Sequence, residues 1–180
     1  MRSFFWALED LGWNIKCRYN FWLHGPYGLA KVIENMPFRF LTKYLRRYGA
    51  SIGNNCHIEK GVILHRPDSK IPFKNLILED HAFIGHKSLI DLSEKVIFEK
   101  YSGVSGFCQV WTHQTSSLVP PCPEERGEVR LCEQAMVYSG TIVTPGITIG
   151  KQSKVGANSL VIKSIGDFAF WGGVPAKSLK

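Results

Sequence analysis

LCEQAM VYSGTI VTPGIT IGKQSK VGANSL VIKSIG, read from Leu131 to Gly166, decides the fold, because an aliphatic residue opens each of six consecutive hexads. The openers are Leu131, Val137, Val143, Ile149, Val155 and Val161. Leu, Ile and Val make up about a quarter of the chain, so six hits at a fixed step have a chance probability of roughly 2 in 10,000 per frame. The same beat runs upstream as Ile52, Ile58 and Leu64, then Leu78, Ile84 and Ile90, then Phe98, Val104 and Val110. A helix wants apolar residues every three or four positions and an alternating strand every two; a strict six satisfies neither. It suits a coil of short strands and sharp corners, one hexad per side, with the opener turned inward. Three hexads make one triangular turn, and stacked turns bury an aliphatic column that no single turn can bury alone; the runs add up to about five turns. The second position of the hexad is usually small or polar (Gly53, Gly85, Ser105, Gly150, Gly156), which predicts unusual backbone angles there.

The chain of 180 residues divides into a helical cap over 1–50 and an all-β solenoid over 51–180. Two stretches break the beat, 65–77 and 114–130. A coil can extrude a loop at a corner without disturbing its stack, and loops on rigid scaffolds are where sites are built. The second loop starts directly after His113. No apolar run reaches the length of a membrane span, and MRSFFWALED is a poor signal peptide because Glu9 and Asp10 cut its apolar run. The five cysteines (Cys17, Cys56, Cys108, Cys122, Cys132) are odd in number and lack CxxC spacing, which argues against a disulfide framework or a zinc site and fits a cytoplasmic location. GxGxxG, P-loop and Gly-x-Ser-x-Gly elements are absent from suitable contexts, so nucleotide-fold and serine-hydrolase chemistry have no support.

The net charge of +7 is concentrated in residues 1–50, which carry eight basic residues against three acidic ones and twelve of the twenty-two aromatics. Phe4, Leu8, Leu11, Ile15 and Trp22 form a helical stripe, interrupted at His24, Gly25 and Pro26, with a short helix expected over 29–35. A further helix starts after Pro37, with Phe38, Leu41, Leu45 and Tyr48 on one face and Arg39, Lys43, Arg46 and Arg47 largely on the others. Two readings stay open. Both stripes pack on the open first coil as a cap, or the helix from Phe38 to Tyr48 lies at an anionic bilayer, each base contributing about 1 kcal/mol. Nucleic acid is not an expected partner.

The hexads, the run ITIGKQSKVGANSLVIKSI (Ile147–Ile165) and the terminal GGVPAK (Gly172–Lys177) resemble the hexapeptide-repeat acyltransferases, and among them the maltose, galactoside and exopolysaccharide O-acetyltransferases. The resemblance implies a left-handed parallel β-helix and a homotrimer whose sites are shared between subunits. It also implies an acetyl-CoA co-substrate, a carbohydrate or glycan acceptor, and a place in surface-polysaccharide biosynthesis. His113 matches the family's general base, and the chemistry agrees: an alcohol is a weak nucleophile at neutral pH, and imidazole is the side chain suited to taking its proton. Asp91 or Glu94 is the expected orienting group for that ring, and Ser93 and Trp111 the expected acceptor contacts. Ser139, Gly140 and Ala157 match the pantetheine groove, with backbone amides near Ser139 and Gly140 as candidate oxyanion donors. Lys163, Lys177 and Lys180 match basic positions near the phosphates of CoA.

No metal is expected. The γ-class carbonic anhydrases share the fold and bind a metal through one histidine followed by a close pair, whereas His81, His86 and His113 come in the reverse order. His24, His57 and His65 are expected to be solvated. The alternatives are N-acetylation of an amino-sugar nucleotide or of a xenobiotic and, in another class, a non-catalytic β-helix scaffold subunit.

Overall fold

Stacking of the hexads produces three sheets around a three-sided helix in the computed structural model, which describes residues 2–115, 117 and 122–179. Lys180, the side chain of Phe4 and part of the 114–130 loop lie outside those residues. The first sheet is Ser51–Ile52, Leu76–Leu78, Val96–Phe98, Val129–Leu131 and Thr148–Ile149. The second is His57–Ile58, Phe83–Ile84, Gly103–Val104, Met136–Val137, Lys154–Val155 and Phe170–Gly172, closed by an antiparallel Lys177–Ser178. The third is Ile63–His65, Leu89–Asp91, Gln109–Val110, Ile142–Val143 and Leu160–Val161.

The parallel register sets the openers over one another. Ile52, Leu78, Phe98, Leu131 and Ile149 form one column. Ile58, Ile84, Val104, Val137 and Val155 form the second, and Leu64, Ile90, Val110, Val143 and Val161 the third. All fifteen are buried, each contributing about 1.5–3 kcal/mol relative to an exposed side chain.

The corners correct one expectation. The left-handed backbone angle falls on the fourth position of the hexad, as at Asn55 (φ 52°), Lys87 (φ 53°), Phe107 (φ 60°) and Gln152 (φ 56°). The small second position, two residues earlier, answers to space instead. A Cβ on Gly85 would lie 2.4 Å from the backbone nitrogen of Gly106 in the next coil.

At the open end, α1 (Arg2–Glu34) is two helical segments joined at Gly25, whose backbone is not helical (φ 63°, ψ −157°), so the break expected at His24, Gly25 and Pro26 is present as a kink. α2 (Phe38–Arg47) buries Phe40, Leu41, Tyr44 and Leu45; Phe38 is left exposed and Tyr48 only half-buried. Leu41 and Leu45 meet Ile58, Leu64 and Ile84 of the first coils, so α2 caps the solenoid. Three of its four bases are engaged within the chain: Arg39 with Glu9, Lys43 with Asp10 at 2.5 Å, and Arg46 with the carbonyls of Ile52 (3.0 Å) and Gly53 (2.6 Å); Arg47 stays exposed beside Arg18 and Trp22. That commits most of the apolar face and most of the basic charge of α2 to the protein itself. The stripe on α1 behaves in the opposite way. Leu8, Leu11, Ile15 and Trp22 are exposed, while Cys17 on the other face and, further along, Leu29, Ala30, Val32 and Ile33 pack on the core.

The second excursion is an antiparallel hairpin, His113–Thr115 against Glu124–Arg126, where a plain loop was expected. Val129 and Arg130, assigned to that loop by sequence, are already back in the first sheet. The first excursion is held by the Asp68 carboxylate, which accepts from the N–H groups of Lys70 and Ile71 (2.8 Å each) and pairs with Lys74.

Candidate active site

His113 stands at the edge between the third and first sheets, where the chain leaves the solenoid to enter the hairpin. Its backbone is fixed from both sides. Trp111 N–H donates to the Val143 carbonyl of the next coil (2.9 Å), and His113 pairs with Arg126 across the hairpin. Asp91 lies one coil earlier on the same edge, fully buried, with Oδ2 2.7 Å from His113 Nδ1.

An ionised carboxylate only accepts, so Nδ1 of a neutral His113 carries the proton and Nε2 presents a lone pair. Asp91 Oδ2 also accepts from Thr112 N–H (3.0 Å) and Thr112 Oγ1 (2.7 Å), and Oδ1 accepts from Ser93 Oγ (3.0 Å). Burial by itself raises the Asp91 pKa, but the hydrogen bonds from His113 and Thr112 outweigh it and hold the carboxyl below its usual value. Asp91 is therefore a buried anion with its lone pairs committed, one of them to the imidazole.

Of the two candidate orienting groups, only Asp91 reaches the ring. Glu94 turns outward, 4.0 Å from Arg126, and contributes only its backbone N–H to Thr112 Oγ1 (3.0 Å). The Ser93 hydroxyl sits 3.2 Å from His113 Nδ1, on the protonated side of the ring. Trp111 packs edge-on to His113, with ring centroids 5.9 Å apart.

Two openings flank this assembly. One groove is lined by Trp111, His113, Gln114, Thr144 and Pro145. The other, larger and more polar, brings together Tyr27 of α1, Arg66, Asp68 and Lys74 of the first excursion, Ser93 and Glu94, and Arg126 of the hairpin. Arg66 and Arg126 both bind Glu124, at 2.9 and 2.8 Å, which lashes the hairpin to the first excursion and holds the Glu124 pKa at about 2.

His65, expected to be solvated, is half-buried with its ring stacked 5.8 Å from that of His113. Burial lowers its pKa, with the Asp91 charge opposing, so a neutral ring is favoured beside His113. The available signal was its register, since His65 pairs with Asp91 in the third sheet. Tyr27, Arg66 and Arg126 carried no signal in the repeat, because they lie outside it.

The residues matched to CoA occupy other places. Ser139 and Gly140 turn the corner between the second and third sheets, and Ala157 turns the same corner one coil on, with Asn158 N–H donating to Ser139 O (2.9 Å). This is a different edge of the prism from that of His113, so one chain does not bring the two sets together. The Gly140 N–H donates to Gly106 O at 3.2 Å and is not a free oxyanion donor. Among the described residues, no carbonyl accepts from the Ser139 N–H. Lys163 is exposed on the His113 edge beyond Leu160–Val161, and Lys177 is exposed in the final strand.

Comparison with known proteins agrees with this architecture. The family model for the hexapeptide repeat of succinyl-transferase matches residues 47–66. WcaF of Escherichia coli (strain K12), provisionally named a colanic acid biosynthesis acetyltransferase, is 26% identical over 129 residues, covering 71% of this chain and 67% of WcaF. A hexapeptide-repeat acetyltransferase from Vibrio cholerae O1 biovar eltor, solved with acetyl-CoA, superposes with a TM-score of 0.75 at 18% identity, over 86% of this chain and 84% of that one. A maltose O-acetyltransferase from Clostridium difficile 630 superposes with a TM-score of 0.74 at 19% identity, over 93% and 87%. The resemblance to the hexapeptide-repeat acyltransferases, first carried by the hexads, thus holds in repeat, relatives and fold.

Proposed function

We propose that this chain is an acetyl-CoA-dependent O-acetyltransferase acting on a sugar hydroxyl in the assembly of a surface polysaccharide, with His113 as general base. The observation that carries the reading is the 2.7 Å contact between Asp91 and His113 Nδ1, which leaves Nε2 as the basic nitrogen beside an open groove. The acceptor hydroxyl gives its proton to Nε2 as its oxygen attacks the thioester carbonyl carbon; the C–O bond forms and the carbonyl electrons move onto oxygen. When the tetrahedral intermediate collapses, the C–S bond breaks and the imidazolium returns the proton to the CoA thiolate. Asp91 acts through the ring, fixing its tautomer and stabilising the imidazolium.

Trp111 and Ser93 are assigned to the acceptor side. Ser139 supplies an N–H for the developing oxyanion, and Ala157, at the same corner one coil on, is assigned to the pantetheine arm. Lys163, Lys177 and Lys180 serve the CoA phosphates. Because His113 and the Ser139 corner lie on different edges, a neighbouring copy has to supply one of them, which favours a homotrimer with sites between subunits. Carbohydrate as the acceptor is supported by the maltose specificity in one neighbour's name and the colanic acid assignment in another's.

The test is thiol release from acetyl-CoA across a panel of sugars and oligosaccharides, with mass spectrometry of the products. Wild type should acetylate a hydroxyl, and His113→Ala should be slowed about 10²–10⁴-fold. A His113→Ala enzyme with full turnover eliminates the mechanism. Exclusive acetylation of amino sugars replaces O- by N-transfer, and a monomer by light scattering removes the shared site.

A further inference from the structure

We infer that α1 is a membrane-docking helix that seats its outward face on an anionic bilayer. On a helix of about 100° per residue, Phe5, Leu8, Leu11, Ile15, Tyr19 and Trp22 fall within a sector of about 120°. All six are exposed, Ile15 by 61% and Trp22 by 80%. The opposite face carries Trp13, Cys17 and Phe21, which pack on the core and fix which side points outward. An apolar strip this continuous on a surface helix marks an interaction face.

Charge identifies what covers it. The three acidic residues of the first fifty are all taken: Glu9 by Arg39, Asp10 by Lys43 and Glu34 by Lys31. Arg46 is spent on carbonyls. Among the described residues, Lys16, Arg18 and Arg47 have no ion-pair partner. Lys16 and Arg18 flank the strip on its two sides, and Arg18 and Arg47 line one pocket with Phe21, Trp22 and Tyr48. Two guanidinium groups beside the exposed Trp22 suit a lipid phosphate whose acyl chains lie along the strip. Two copies meeting strip to strip would instead crowd six unpaired bases together.

Past the Gly25 kink, α1 delivers Tyr27 to the polar opening beside Ser93. Docking through α1 therefore holds that opening close to the membrane, as an acceptor sugar carried on a lipid requires. This last step rests on the acetyltransferase reading; the docking itself does not.

Flotation with phosphatidylcholine vesicles, with and without phosphatidylglycerol, tests the inference on the intact chain. Wild type should float with anionic vesicles only, and release in high salt. Arg18→Gln with Arg47→Gln should weaken partition about thirty-fold, equivalent to ~1 kcal/mol per base. Ile15→Ser with Trp22→Ser should abolish it. All four side chains are exposed, so acetyl-CoA binding and circular dichroism should be unchanged. Lys100→Gln with Lys154→Gln, which removes equal charge from the solenoid, should float like wild type. The inference is overturned if wild type stays in solution at low salt, or if the solenoid variant loses binding equally. It is also overturned if Ile15→Ser with Trp22→Ser changes the oligomer by light scattering and leaves flotation intact, because the strip is then covered by a second copy.

Discussion

Asp91→Asn should separate catalysis from folding at this site. The side chain is fully buried, with Oδ2 accepting from Thr112 N–H, Thr112 Oγ1 and His113 Nδ1, and Oδ1 accepting from Ser93 Oγ. An asparagine can keep this geometry by placing its oxygen at the Oδ2 position and its NH2 toward Ser93, whose hydroxyl then accepts. Three charge-assisted hydrogen bonds become neutral, but a buried charge also disappears. The net loss should be about 1–2 kcal/mol, a fall in Tm of about 3–6 °C. The catalytic loss is larger. At an effective dielectric constant of about 20, unit charges about 4 Å apart attract by ~4 kcal/mol, and that attraction is felt only once His113 becomes an imidazolium. With part of it recovered by solvent, kcat should fall about 10²–10³-fold. Asp91 sits behind the ring and touches neither substrate, so KM for acetyl-CoA and acceptor should hold. The assay is thiol release at saturating substrates beside a thermal melt. A folded Asp91→Asn enzyme with kcat within about threefold of wild type would refute the orienting role.

Gly85→Ala should destabilise the solenoid by about 2–4 kcal/mol, because its Cβ would meet the Gly106 backbone at 2.4 Å; Gly156→Ala, with nothing nearer than 3.6 Å, should be close to neutral. Similar Tm losses in the two variants would contradict the spacing argument. Burial, opposed by the Asp91 charge, holds the His65 pKa below its ordinary 6.5, so the unfolded chain takes up the proton first as pH falls. Stability is then full above 6.5 and lost as pH falls through the folded value; the lowered Asp91 pKa acts in the same direction below 3.8. Urea titrations from about pH 8 to about pH 5 should show the first loss in wild type and a flatter profile in His65→Gln. Lys163→Gln should raise KM for acetyl-CoA about three- to tenfold at constant kcat, and an unchanged KM removes it from the phosphate site.

The solenoid was legible because its signal is one-dimensional: a buried column with one residue per side repeats in the sequence as a fixed step, and all fifteen openers stack as the beat requires. His113 was legible from the place where the beat stops. Its partner was not, because Asp91 and Glu94 lie within one turn of each other in sequence, and the register that seats Asp91 under the ring is set by stacking across 22 residues. The same holds for His65, Arg66 and Tyr27, which meet at the site only because the coils, the excursions and α1 converge there. For the cap, the pattern showed that two helices were amphipathic and left open which would bury its stripe. Amphipathicity records that a face prefers to leave water; whether protein meets that face depends on how the helix docks. Docking buried the apolar face of α2 and left that of α1 bare, a choice made by three-dimensional packing.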